Sequence, residues 1–169
     1  QDENDSPDGG ATDGYIRWAE DDGLVWNGSF SNSWNDAANW TDAADVDADD
    51  IPDADDVVYI EAGATFEPII LDGENVSASR LTVRSNGLLS LQGTAVLNIT
   101  GNATIFSGST IDMTNSANSN INVGGSWSNA GNFNEGSATV TFNGTEGTHP
   151  ITTLGNGDPF YNLVIDGDG

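Results

Sequence analysis

From Val57 onward, apolar residues fall at alternate positions in short bursts, and Gly, Asn, Ser and Thr fill the gaps. The first bursts are Val57-Val58-Tyr59-Ile60 and Phe66 to Leu71. Then come Leu81-Thr82-Val83, Leu89-Ser90-Leu91, Leu97-Asn98-Ile99, Thr104-Ile105-Phe106, Ile111-Asp112-Met113 and Ile121-Asn122-Val123. Thr139 to Phe142 and Leu163-Val164-Ile165 close the series. A period of two predicts strands, because successive side chains point to opposite faces. Pro68 argues for an edge or a bend, since it cannot donate to a ladder. Gly87, Gly93, Gly101, Gly108 and Gly124 separate the central triplets. Two architectures fit. One is an antiparallel β-sandwich built from hairpins. The other is a parallel, right-handed β-solenoid, in which each coil stacks on the last. Asn-Gly turns would favour hairpins, yet only Asn86-Gly87 and Asn143-Gly144 lie at strand junctions. The solenoid is the preferred expectation, with inward Leu, Ile and Val in columns.

The first 56 residues read differently. Tyr15 to Trp18 and Leu24 to Trp26 predict short strands, and Trp18, Trp26, Trp34 and Trp40 fall within one short stretch. Residues 42–56 form an acidic loop with eight aspartates. Residues 1–14 are a polar, acidic arm, expected to be disordered unless a neighbouring copy holds it. The chain therefore divides into an arm (1–14), a tryptophan-rich cap with its acidic loop (15–56) and solenoid coils (57–169).

Charge narrows the functional classes. The chain has no lysine, three arginines (Arg17, Arg80, Arg84) and 27 acidic residues, for a net charge of -24. Such a field repels nucleic acid. It also suits a high-salt, halophilic setting, where screening removes self-repulsion. Lysine-dependent isopeptide cross-links are chemically impossible. There is no cysteine, so no disulfide or thiolate chemistry arises. No run approaches the roughly 18 apolar residues that span a bilayer, so no membrane insertion is expected. The polar start, Gln1-Asp2-Glu3-Asn4-Asp5, fits a mature terminus left by signal cleavage. Extracellular or cell-surface residence is the expectation.

Several phrases carry a resemblance: VWNGSFSNSWNDAANW, IPDADDVVYIEAGATFEPII, ASRLTVRSNGLLSLQGTAVLNITGN, INVGGSWSNAGNFNEGSATVTFNGTEGTHPIT and FYNLVIDG. Over about residues 25–169 the chain resembles repeats of secreted and surface-anchored β-solenoid proteins of bacteria and archaea. In those proteins a W-G…W…N-W stretch opens the domain, G-x-W-x-N-x-G-x-F and V-x-F-x-G mark late coils, and F-x-N-L-x-I starts another. The resemblance implies a solenoid in a large surface or adhesin-like protein. Gly169 follows a strand that should begin a further coil, which implies either a longer protein or a strand that completes a neighbouring subunit.

Candidate chemistry is sparse. Asp45, Asp47, Asp49, Asp50, Asp53, Asp55 and Asp56 offer hard oxygen ligands for calcium, the one cofactor the sequence suggests. The EF-hand spacing fails, because Asp50 and Asp56 stand where Gly and Glu are needed. The alternative is a solvated acidic loop. Trp26, Trp34, Trp40 and Trp127 are candidates for stacking on sugar rings, as in a polysaccharide-binding module. The preferred role is a cap that hides the apolar face and unpaired edge of the first coil. Asn27, Asn39, Asn75, Asn98, Asn102 and Asn143 begin Asn-x-Ser/Thr glycosylation sequons. His149 is the single histidine, so neither a catalytic triad nor a zinc set assembles. Arg80 and Arg84 are the only basic residues placed for lyase chemistry, and pairing with the acidic field is the simpler role. No enzyme is expected. The expected function is structural: a self-assembling subunit or module of a surface filament, sheath or adhesin, with other copies as partners. A polysaccharide-binding module and a passive stalk are the alternatives.

Overall fold

The structure is a computed structural model and describes residues 23–42, 51–145, 147–154 and 160–167. Three parallel sheets wind into a β-solenoid of four full coils, each coil giving one strand to each sheet. The first coil holds β3 (Val57–Ile60), β4 (Ile69–Ile70) and β5 (Asn75–Ala78). The second holds β6 (Arg80–Val83), β7 (Leu88–Leu91) and β8 (Val96–Ile99). The third holds β9 (Ala103–Ile105), β10 (Thr110–Asp112) and β11 (Asn120–Val123), and the fourth β12 (Trp127–Asn129), β13 (Asn132–Asn134) and β14 (Thr139–Phe142). A fifth coil is represented by β15 (Ile151–Thr153) and β16 (Asn162–Ile165). Every pairing between coils is parallel, which removes the sandwich alternative.

Register turns the triplets into columns. Val58, Leu81, Ala103, Trp127 and Ile151 stack in the first sheet. Leu89, Ile111 and Phe133 stack in the second, and Val76, Leu97, Ile121, Val140 and Leu163 in the third. The inward members from Val58 to Phe142 form one continuous buried core that also takes in Leu24, Trp26, Trp34 and Trp40. Each buried Leu or Ile contributes about 1.5–3 kcal/mol of burial free energy. Column volumes compensate one another: Ala103 lies directly beneath Trp127, where the small side chain leaves room for the indole.

The glycines between triplets are corner residues rather than hairpin tips. Ser85 and Asn86 adopt φ of 55° and 65° and turn the chain from β6 to β7. Asn86-Gly87 thus joins two sheets of one coil and makes no hairpin. At the corner leading back to the first sheet, a Cβ on Gly124 would lie 2.3 Å from the Thr100 carbonyl oxygen. The backbones of successive coils meet there, and only glycine fits.

The cap extends the first sheet. β1 (Leu24–Trp26) pairs parallel with β3 and antiparallel with β2 (Trp40–Asp42). Between β1 and β2, a 3-10 turn (Ala37–Asn39) starts at Asp36, whose side chain accepts from the Ala38 N–H. Asn39 is fully buried at the centre of this loop. Its Oδ1 accepts from Phe30 and Ser31 N–H at 3.1 and 2.8 Å, and its Nδ2 donates to Ser31 Oγ and the Ser33 carbonyl, each at 2.9 Å. One amide therefore holds the loop that carries Trp34. The expected arm (1–14) and the strand at Tyr15 to Trp18 lie outside the described residues.

Candidate functional site

The tryptophans are core residues. Trp34 is 0% exposed, and Trp26 and Trp40 are buried with it. Trp40 meets both neighbours edge to face, at 4.9 Å from Trp26 and 4.8 Å from Trp34. The Trp26 indole N–H donates to the Phe66 carbonyl at 2.7 Å, and that of Trp40 to the Trp34 carbonyl at 2.8 Å. Trp127, also buried, packs edge to face on Phe133, Phe142 and Phe160. The sugar-stacking expectation for Trp26, Trp34, Trp40 and Trp127 is thereby corrected: none presents an open ring face, because all four fill the ends of the core. The Nε1 atoms of Trp34 and Trp127 are buried without a hydrogen-bond partner.

The acidic loop is only partly described. Asp45, Asp47, Asp49 and Asp50 lie outside the described residues. Asp53, Asp55 and Asp56 form a turn that leads into β3. Asp53 Oδ1 accepts from Asp55 N–H at 2.7 Å, and Asp56 Oδ2 accepts from Asp53 N–H at 2.8 Å. The Asp56 carbonyl accepts from the Ser79 and Arg80 N–H groups, which ties this turn to the next coil. Among the described residues no three acidic or histidine side chains converge as a metal cage. Asp53 and Asp56 each direct a carboxylate oxygen at a backbone N–H of the same turn.

Arg84 is half-buried, pairs with Glu61 and lies 4.2 Å above the Tyr59 ring. The simpler reading of this arginine, as a partner for the acidic field, is what its surroundings show. Arg80 is exposed, and His149 is exposed against Gly144. Two carboxylates missed in the sequence depart from ordinary behaviour. Burial raises the Glu67 pKa, and Glu67 Oε2 is enclosed without a partner. The Asp72 pKa is lowered by hydrogen bonds from the backbone N–H and hydroxyl of Thr94, at 2.7 and 2.8 Å. These contacts join the same turn in successive coils.

The two ends of the solenoid differ most. At the N-terminal end the buried tryptophans close the core. At the C-terminal end Phe160 lies against Trp127, Phe133 and Phe142 as a partial plug. Around it Ile151 (41%), Leu163 (49%) and Ile165 (65%) sit in the apolar columns yet face solvent. Among the described residues the third sheet ends at β5 on one side and β16 on the other. Phe160 and the following Asn162-Leu163-Val164-Ile165 were the sequence signal for this end.

No curated protein and no solved structure matches the chain. From Val25 in the first strand of the cap to Gly144 at the corner after β14, residues 25–144 match a domain of unknown function (DUF8693), and the chain belongs to that family.

Proposed function

We propose that this chain is a structural module of an extracellular assembly, such as a surface filament, sheath or adhesin, and that copies join head to tail through their coil ends. The observation that supports this is the fifth coil, where, among the described residues, β16 is the last strand of its sheet and Leu163 and Ile165 are exposed. Such an edge takes up another strand by main-chain hydrogen bonding. The complementary edge is β5, the other margin of the same sheet among the described residues. Pairing β16 of one copy with β5 of the next continues the parallel sheet in one direction. That contact is heterologous and propagates as an open filament. The net charge of -24 opposes it, so salt should promote it.

Negative-stain electron microscopy and light scattering at rising ionic strength, with and without chelator, test this reading. Filaments that lengthen with salt and vanish in Ile165→Asp are the expected result. Filaments that dissolve only on chelation would move the joint to the acidic loop and make calcium its cement. Dispersed monomers under all conditions would defeat the assembly reading in favour of a passive stalk.

A further inference from the structure

Six of the seven Asn-x-Ser/Thr sequons lie among the described residues (Asn4-Asp5-Ser6 does not) and are not equivalent in the fold, and we propose that Asn75, Asn102 and Asn143 are N-glycosylation sites while Asn39 and Asn98 stay bare. N-glycosylation replaces one amide hydrogen on Nδ2 with a sugar carbon and leaves Oδ1 free to accept. An acceptor asparagine therefore needs a solvent-facing Nδ2 with a spare hydrogen, whereas bonds to its Oδ1 are harmless.

Asn39 fails on both counts. It is fully buried, and both hydrogens of Nδ2 are donated inside the cap loop. Asn98 is half-buried in an amide ladder on the outer face of the third sheet. Its Nδ2 donates to Asn75 Oδ1 at 2.6 Å and to the Val76 carbonyl at 3.2 Å. Its Oδ1 accepts from Asn122 Nδ2 at 2.8 Å. Asn27 is half-buried and donates one Nδ2 hydrogen to Thr41 Oγ1 at 2.8 Å, which leaves the second hydrogen spare, so it belongs to neither group.

The other three are exposed. Asn75 begins β5 and enters the ladder only as an acceptor, through Oδ1. Asn102 likewise uses Oδ1, accepting from the Ser126 N–H at 2.8 Å. Asn143 follows β14 and is held through its backbone, with N–H donating to the Val123 carbonyl at 3.0 Å. Asn102 and Asn143 sit on the same corner of the solenoid, two coils apart, a rise of about 10 Å. Gly101, Gly124, Gly125 and Gly144 line that corner, and the exposed His149 ring, set against Gly144, is the side chain nearest Asn143's neighbour.

The co-reactant is a diphosphate-linked glycosyl donor, used by a membrane transferase. The bond from Nδ2 to the sugar C1 forms as the C1–O bond to the diphosphate breaks. The diphosphate leaves with the electron pair, and the Nδ2 proton passes to a base of the transferase. Because the transferase acts on chains crossing a membrane, the inference rests on the extracellular reading.

The test is glycopeptide mass mapping of the full chain from its native cells, with surface, medium and intracellular fractions kept separate. The expected result is glycan on Asn75, Asn102 and Asn143 in the surface or medium fraction, with Asn39 and Asn98 at least tenfold less occupied. A surface fraction bare at the three sites, or glycan on Asn39 or Asn98, overturns the assignment and leaves the extracellular reading standing. Protein found only inside the cell and unmodified overturns both.

Discussion

At the N-terminal end of the stack, three tryptophans, a buried asparagine and an antiparallel strand close the first coil. At the C-terminal end, among the described residues, Phe160 covers the fourth coil's core, and the three columns that reach Ile151, Leu163 and Ile165 run out into solvent. A solenoid core is continuous along its axis, so each end must be either covered or continued. Here the cap covers the first two sheets, through β1, β2 and the Ser33–Ile69 bridge, while β5 remains the margin of the third sheet among the described residues, and that margin is the one the proposed joint uses. Residues at the closed end should govern folding, and residues at the open end should govern association.

Mutations can break that division. The largest effect is expected at the closed end. Trp34→Ala should destabilise the fold by about 3–5 kcal/mol through a buried cavity, measured by chemical denaturation. A loss below about 1 kcal/mol would mean that the cap is peripheral to folding. Next is Gly124→Ala, where the new Cβ meets the Thr100 carbonyl oxygen. Overpacking of this kind costs about 1–3 kcal/mol, and a lowered melting temperature checks it. Ile165→Asp, at the open end, should change monomer stability by no more than about 0.5 kcal/mol yet abolish filaments. If it unfolds the monomer instead, the fifth coil belongs to the core and the two ends are alike.

The smallest effect is a pH dependence near the closed end. Glu67 has a raised pKa, so the fold favours its protonated form. Its contribution is fully present below the ordinary carboxylate range and is lost as pH rises through the raised value. Asp72 has a lowered pKa, so its contribution is present above the ordinary range and is lost as pH falls through the lowered value. Glu67→Gln should therefore be more stable than the parent at neutral pH and equal to it in acid. Asp72→Asn should be less stable at neutral pH, with the difference closing in strong acid. Urea midpoints across the acid range decide both, and a pH-independent difference for either variant would sink its assignment.

Much of the coil architecture was legible where two large apolar residues flank one polar one. Val57 to Ile60 and Leu24 to Trp26 are strands with the expected bounds, and Ile111-Asp112-Met113 buries both outer members. β5 went unread because Asn75-Val76-Ser77-Ala78 has one large apolar residue, and its strand character comes from pairing with β8. β12 and β13 are marked by the G-x-W-x-N-x-G-x-F phrase and not by alternation, because inward Asn129 is a polar residue in an apolar column whose side chain accepts from the Gly131 N–H. Phe66 to Leu71 contracts to a two-residue strand, with Phe66 exposed while its carbonyl receives the Trp26 indole. From sequence the tryptophans read chiefly as a cap on the first coil, and the sugar platform stays open beside it because composition reports an aromatic cluster but not the direction its rings face. Alternation gives direction within a strand, and Trp34 lies in a loop whose inward turn depends on Asn39.

Among the described residues, the indoles sit only at the two ends, Trp26, Trp34 and Trp40 at one and Trp127 at the other, with aliphatic coils between them. Intrinsic fluorescence is therefore a positional readout: Trp127→Phe would darken the open end and leave the cap's emission, so fraying that begins at the fifth coil can be followed separately from the melting of the cap.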